Sequence, residues 1–155
     1  AGCYAVFDRT VDMVTVMATE ADLRDRLRAR IEAVVTDETR VLVAHSLGSV
    51  VAYMALCHHP DWSLHTFAPL GSPLAAPRAR GMRDPAPVDG VGVWPGVECW
   101  VNVRAVGDKA AAVPLAGTFG PKVEDVLVDN GHRAHAPEPY LNAEPTGAAV
   151  AAALA

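Results

Sequence analysis

Residues Arg40 to Tyr53 read Arg-Val-Leu-Val-Ala-His-Ser-Leu-Gly-Ser-Val-Val-Ala-Tyr, and no other stretch restricts the fold as tightly. The run Val41-Leu42-Val43-Ala44 suits a strand buried on both faces, as strands of parallel sheets are. From Leu47 to His58 the chain is apolar almost all round, which suits a helix covered on most sides. Only a tight turn fits between them. Strand, turn and helix in that order put Ser46 at the apex. A hydroxyl there stands clear of its own backbone, and the N–H groups and positive dipole end of the helix favour an anion beside it. Ala44 to Gly48 match the G-x-S-x-G pattern of such a nucleophile turn, with Ala44 in place of the first glycine. The competing reading makes Ser46 an ordinary helix N-cap.

The rest of the chain is consistent with one α/β domain over residues 1–155. It is 51% hydrophobic and 20% charged, so it can bury a core. A net charge of −5, no basic run and 6% aromatic residues argue against nucleic acid as a partner. Cys3, Cys57 and Cys99 are widely spaced and odd in number, which suggests neither a disulfide framework nor a zinc pattern. They read as core thiols of a reducing compartment, with Cys57 inert inside an apolar helix. No segment has the length and hydropathy of a membrane span, and no basic-then-apolar leader is visible. A cytoplasmic location is therefore expected.

Along the chain, Thr19 reads as the cap of a helix whose core face is Leu23, Leu27, Ile31 and Val34-Val35. Arg24, Asp25, Arg26, Arg28 and Arg30 then form a solvated face. Strands are expected at Arg40–Ala44, Leu64–Leu70, Glu98–Val106 and Val123–Val128, with a closing helix from about Thr146. Strands alternating with crossovers imply a mostly parallel sheet flanked by helices. The Pro- and Gly-rich stretch from Pro73 to Gly96 reads as a long loop. Its Met82 and Trp94 are candidates for a lid or for satellite packing.

A serine nucleophile needs an imidazole base and a carboxylate that orients it. Asp108 follows the third expected strand, and His132 and His135 follow the fourth, in the chain order serine, acid, histidine. Asp108 is the preferred acid, and Asp129 competes with it. Asp125 lies inside a strand, and Glu124 and Glu138 read as solvated. His135 and His132 are the candidate bases. His45 and Ser72 are candidate pocket-lining, substrate-binding residues. His58 and His59 end a helix, where their charge suits the dipole. His132 and His135 lack the acidic or thiol partners of a metal site, so no metal and no cofactor are expected.

Several segments together carry a resemblance. They are Ala-His-Ser-Leu-Gly-Ser-Val-Val-Ala, a strand ending Leu-Gly-Ser-Pro-Leu, Trp-Val-Asn-Val-x-x-x-x-Asp and His-x-x-x-x-Tyr-Leu. Over about residues 20–155 the chain resembles the serine-hydrolase branch of the α/β-hydrolase superfamily, more narrowly bacterial esterase- and lipase-like members. The resemblance implies Ser46 as nucleophile, Asp108 as acid, a histidine of the last loop as base, with His135 preferred for its distance to Tyr140-Leu141, and the Leu47 N–H as an oxyanion donor. It implies hydrolysis of an ester or related acyl bond of a small or lipid-like substrate through an acyl-serine. Acyl transfer by the same residues, or a binding or regulatory module on the same framework, are the alternatives. The chain departs from the pattern at its start. Gly2 is the sole glycine before Gly48, so the Gly-rich loop that supplies a second oxyanion donor is not recognisable. The family's N-terminal strands are likewise missing. The chain thus reads as the C-terminal part of a larger catalytic domain, with the remaining strands expected from another segment or chain.

Overall fold

The computed structural model describes residue 13 and residues 15–155. Its centre is a four-stranded sheet of β1 (Val41–His45), β2 (Thr66–Leu70), β3 (Cys99–Ala105) and β4 (Glu124–Val128), in the order β1-β2-β3-β4. Every neighbouring pair is parallel, with Val41 opposite Thr66, Thr66 opposite Cys99 and Val101 opposite Glu124. The protein is therefore of the α/β class. From residue 20 onward the α-helices are α1 (Ala21–Glu32), α2 (Leu47–His58), α3 (Ala116–Phe119), α4 (Pro137–Leu141) and α5 (Glu144–Leu154).

Parallel strands laid down in chain order, with crossovers of one hand, place every connection on the same face of the sheet. The larger core cluster follows that rule. It joins Val50 to Met54 of α2, Leu74, Ala79 and Met82 from the β2–β3 connection, and Leu115 and Phe119 from the β3–β4 connection to Phe67 and Trp100 of the sheet. Side chains alternate along each strand. Leu42, Ala44, Phe67 and Trp100 point into this cluster, whereas Val43, Leu70, Val101, Val103, Ala105 and Val128 point to the opposite face with Tyr140. The returning C-terminal segment covers that second face, where α5 lies against β1, β2 and β3. Trp100 anchors the first cluster, with ring centroids of Phe119, Phe67, Trp94 and Tyr53 at 4.9, 5.3, 5.5 and 5.8 Å.

Several local expectations are corrected. Thr19 does not cap α1. Helical geometry already covers 15–19, and Thr19 Oγ1 bonds back to the Thr15 and Val16 carbonyls. Helix α1 stops at Glu32, short of Val34-Val35. Arg24 is not on a solvated face, since its guanidinium donates to the Met17 and Ala18 carbonyls. His59 does more than end α2: it stacks on Trp62 and reaches Glu32 of α1 at 3.0 Å. Met82 is buried in the main cluster, and Trp94 donates to the Val97 carbonyl and packs on Trp100. Both are packing residues. The loop that carries them contains a 3-10 turn, Pro77–Met82. The thiol of Cys57 is pushed up to about 11 by burial, which keeps it protonated, and Cys99 is exposed. Cys3 lies outside the described residues. Among the described residues no helix is long and apolar enough to cross a membrane.

Truncating Trp100 to alanine removes the shared wall of this aromatic cluster. It is expected to cost about 3–5 kcal/mol in a urea unfolding titration; a loss under about 1 kcal/mol would contradict the packing described.

Candidate functional site

The C-terminal ends of all four strands lie at one rim of the sheet, a consequence of parallel pairing. Ser46 follows β1 there. Its backbone sits at φ 52° and ψ −129°, a region that a residue with a Cβ rarely occupies. Two contacts hold this conformation. The Ser46 N–H donates to the Leu70 carbonyl at the end of β2 (2.8 Å). Beneath the turn, Ser49 Oγ reaches both the Ser46 carbonyl (2.5 Å) and Ser72 Oγ (2.7 Å). Ser49 and Ser72 are buried, so this pair is shielded from competing water. Ser46 makes no side-chain capping bond. The N-cap reading therefore fails, and the hydroxyl is free to face away from its own helix.

It faces His135. Ser46 Oγ lies 2.8 Å from His135 Nε2, and His135 Nδ1 lies 3.0 and 2.9 Å from the two carboxylate oxygens of Asp108. An ionised carboxylate only accepts, so the imidazole proton sits on Nδ1, and Nε2 presents a lone pair to the serine O–H. Ser46 stands at the end of β1 and Asp108 beyond the end of β3, two strand spacings apart (roughly 10 Å). The imidazole spans that gap above the end of β2. Gly71 occupies the position beneath, with φ +57°. A Cβ there would stand 3.0 Å from both Asp108 Oδ2 and the Tyr140 ring. Glycine is thus favoured twice, for its backbone angle and for the tight space above it.

Asp108 has no exposed side-chain surface, whereas the His135 side chain is 33% exposed. The carboxylate is therefore sealed and the imidazole is reachable from solvent. Burial pushes the Asp108 carboxyl up, but hydrogen bonds from His135 and Tyr140, the charge of His135 and the Ala110 N–H outweigh it and hold the group below its ordinary value. Tyr140 donates to Asp108 Oδ2 at 2.6 Å, and the Ala110 N–H donates to Oδ1 at 2.9 Å. His45 lies beside the base, with its ring centroid 4.9 Å from that of His135. Its Nε2 is 3.0 Å from the His135 carbonyl, which can only accept, so that nitrogen carries the proton. Burial, and then the neighbouring His135, push His45 down toward its neutral form.

The structure thus brings Ser46, His135 and Asp108 together and leaves their competitors outside. His132 is exposed on the 3-10 turn Gly131–Arg133. Asp129 is exposed and accepts the Gly131 N–H, which is turn chemistry. Asp125 is consumed by the Leu115 and Ala116 N–H groups and by Asn102. Ser72, expected to line the pocket, is instead buried under the turn, and His45 packs beside His135 and donates to its carbonyl. Leu47 opens α2, so its N–H has no intrahelical acceptor and stands beside the serine. Sequence reasoning missed Ser49, Gly71 and the Tyr140 hydroxyl as parts of the site. Ser49 and Gly71 sit three residues after Ser46 and directly after a strand, but neither carries a chemical signature of its own. Among the described residues no group of three or more His, Cys, Asp or Glu side chains converges as a metal site. Compared with protein-family models, with curated proteins and with solved structures, the chain matches none.

Gly71→Ala is expected to lose about 1–3 kcal/mol of stability in thermal or urea unfolding. Gly117→Ala, where an added Cβ meets nothing within 4 Å, serves as the control and is expected to be neutral or better. Equal effects at the two positions would contradict the crowding above β2.

Asp108 ionises more readily in the folded chain than in the unfolded one. Its stabilising contribution is therefore complete above the ordinary value near 3.8 and is lost as pH falls through the lower folded value. The stability difference between the native chain and Asp108→Asn, measured by urea unfolding across pH, should shrink on acidification below about pH 4. A difference that grew on acidification would reverse the sign assigned here.

Proposed function

We propose that the chain is a serine hydrolase of the α/β-hydrolase type, acting on a carboxylic ester or related acyl bond. The observation that carries this reading is the unbroken series Ser46 Oγ–His135 Nε2, His135 Nδ1–Asp108, raised on a strained turn at an accessible rim. A binding surface has no need of a serine proton acceptor, nor of a sealed carboxylate behind that acceptor.

On this reading His135 Nε2 takes the Ser46 proton as Oγ attacks the acyl carbon. Asp108 holds the imidazole in the required tautomer and stabilises the imidazolium that forms, without itself taking the proton. The carbonyl oxygen becomes an oxyanion beside the start of α2, where the Leu47 N–H is placed to donate and the dipole end adds to the attraction. The imidazolium then protonates the leaving alcohol, and an acyl-serine remains. Water activated by His135 attacks it and returns the serine. A strained apex serves this sequence because the hydroxyl is already aimed and nothing must reorganise as charge develops.

A fluorophosphonate probe is expected to label the native chain on one residue, Ser46, and to leave Ser46→Ala unlabelled. For p-nitrophenyl ester hydrolysis, Ser46→Ala and His135→Ala are each expected to lower kcat by about 10⁴-fold or more, and together by no more than either alone. Absence of labelling in the folded native chain would favour a binding or regulatory module instead.

A further inference from the structure

We infer that Tyr140 is a positioning residue of this site, its buried hydroxyl holding the Asp108 carboxylate against His135. The consequence for catalysis rests on the acyl-serine reading above; the contact itself does not. Tyr140 is 0% exposed. Its hydroxyl donates to Asp108 Oδ2 at 2.6 Å and accepts the N–H of Ala105, the last residue of β3, at 2.9 Å. Asp108 follows β3 across Gly107, which turns the chain at φ +77°. The tyrosine therefore ties a carboxylate on a loop back to the strand that precedes it. Its own backbone is held in turn, because the buried Thr146 of α5 donates to the Tyr140 carbonyl at 2.7 Å. On the opposite side the ring closes against Gly71. Any buried tyrosine must find a partner for its hydroxyl. This one donates to Asp108 Oδ2, one of the two carboxylate oxygens that lie against His135 Nδ1.

The charged and titratable groups around this contact are His45 from β1, Arg104 from β3, Asp108 from the loop after β3, His135 from the last loop and Glu138 from α4. A donor to the charged form of a carboxyl favours that form. Removing the hydroxyl should therefore raise the pH at which Asp108 titrates.

The primary test follows the side-chain carboxyl carbon of Asp108 by carbon NMR against pH. In Tyr140→Phe its midpoint is expected to move to higher pH. In parallel, kcat for p-nitrophenyl acetate is expected to fall about 10- to 100-fold, the span of a charge-assisted hydrogen bond, with KM changed less than about twofold. In an Asp108→Asn background Tyr140→Phe is expected to change kcat by less than about twofold, because the contact it removes is already altered. A tyrosine that merely fills space would leave the midpoint in place and give additive losses, and either result overturns the inference. Should Tyr140→Phe fail to fold with the Ala105 N–H unpaired, 3-fluorotyrosine placed at position 140 keeps the hydroxyl and strengthens it as a donor. The Asp108 midpoint should then move to lower pH, and an unchanged midpoint overturns the inference. Failure of the fluorophosphonate to label the native chain would defeat the acyl-serine reading alone, since the carboxyl titration reads the contact whether or not the serine reacts.

Discussion

Parallel pairing is the constraint from which the rest of the structure follows. With four strands running the same way, each C-terminal end opens onto one rim, and the loops that leave those ends must share it. Ser46, Gly71, Asp108 and His135 come from four such loops. They are up to 89 residues apart along the chain, yet they meet within hydrogen-bonding distance or van der Waals contact. An antiparallel pairing of the same strands would have sent every second loop to the far side.

Two unfavourable features are concentrated at this rim, and each is offset locally. The positive φ of Ser46 is tolerated because the turn is pinned from β2 by the Leu70 carbonyl and from beneath by Ser49 and Ser72. The sealed charge of Asp108 is tolerated because His135, Tyr140 and the Ala110 N–H all donate to it. Gly71 adjoins both arrangements. It stands at the end of β2 between the serine turn and the carboxylate, and its missing side chain is the space in which the acid and Tyr140 meet.

The two faces of the sheet contribute unequally. The face covered by α2 and the long connections holds the aromatic cluster around Trp100 and supplies bulk stability. The face covered by α4 and α5 is smaller, but it carries the parts that aim the site, among them Tyr140 and the packing of His45 under His135. On the proposed acyl-serine route, the short C-terminal helices are therefore part of the machinery as well as of the core.

The strand–turn–helix around Ser46 was legible from residues alone, because a continuous apolar run, a tight turn and an all-round apolar segment admit few local solutions. The succession of strands along the chain and the placement of Asp108 and the last-loop histidines beyond strand ends were legible for the same reason, whereas the order of those strands within the sheet was not. Helix α1 was misjudged at both ends: it stops at Glu32, and helical geometry already covers 15–19 ahead of it, with Arg24 reaching the 17 and 18 carbonyls. Between His135 and His132, and between Asp108 and Asp129, the sequence supported a preference but left the competitor open. Both histidines share a loop and both acids follow strands, and only the path of the 3-10 turn directs one imidazole inward. Local pattern determines what a segment can be, because backbone sterics and hydrophobic periodicity act over a few residues. Which side chains meet is decided by packing between segments far apart in the chain, and Ser49, Gly71 and Tyr140 acquired their places at the site only through that packing.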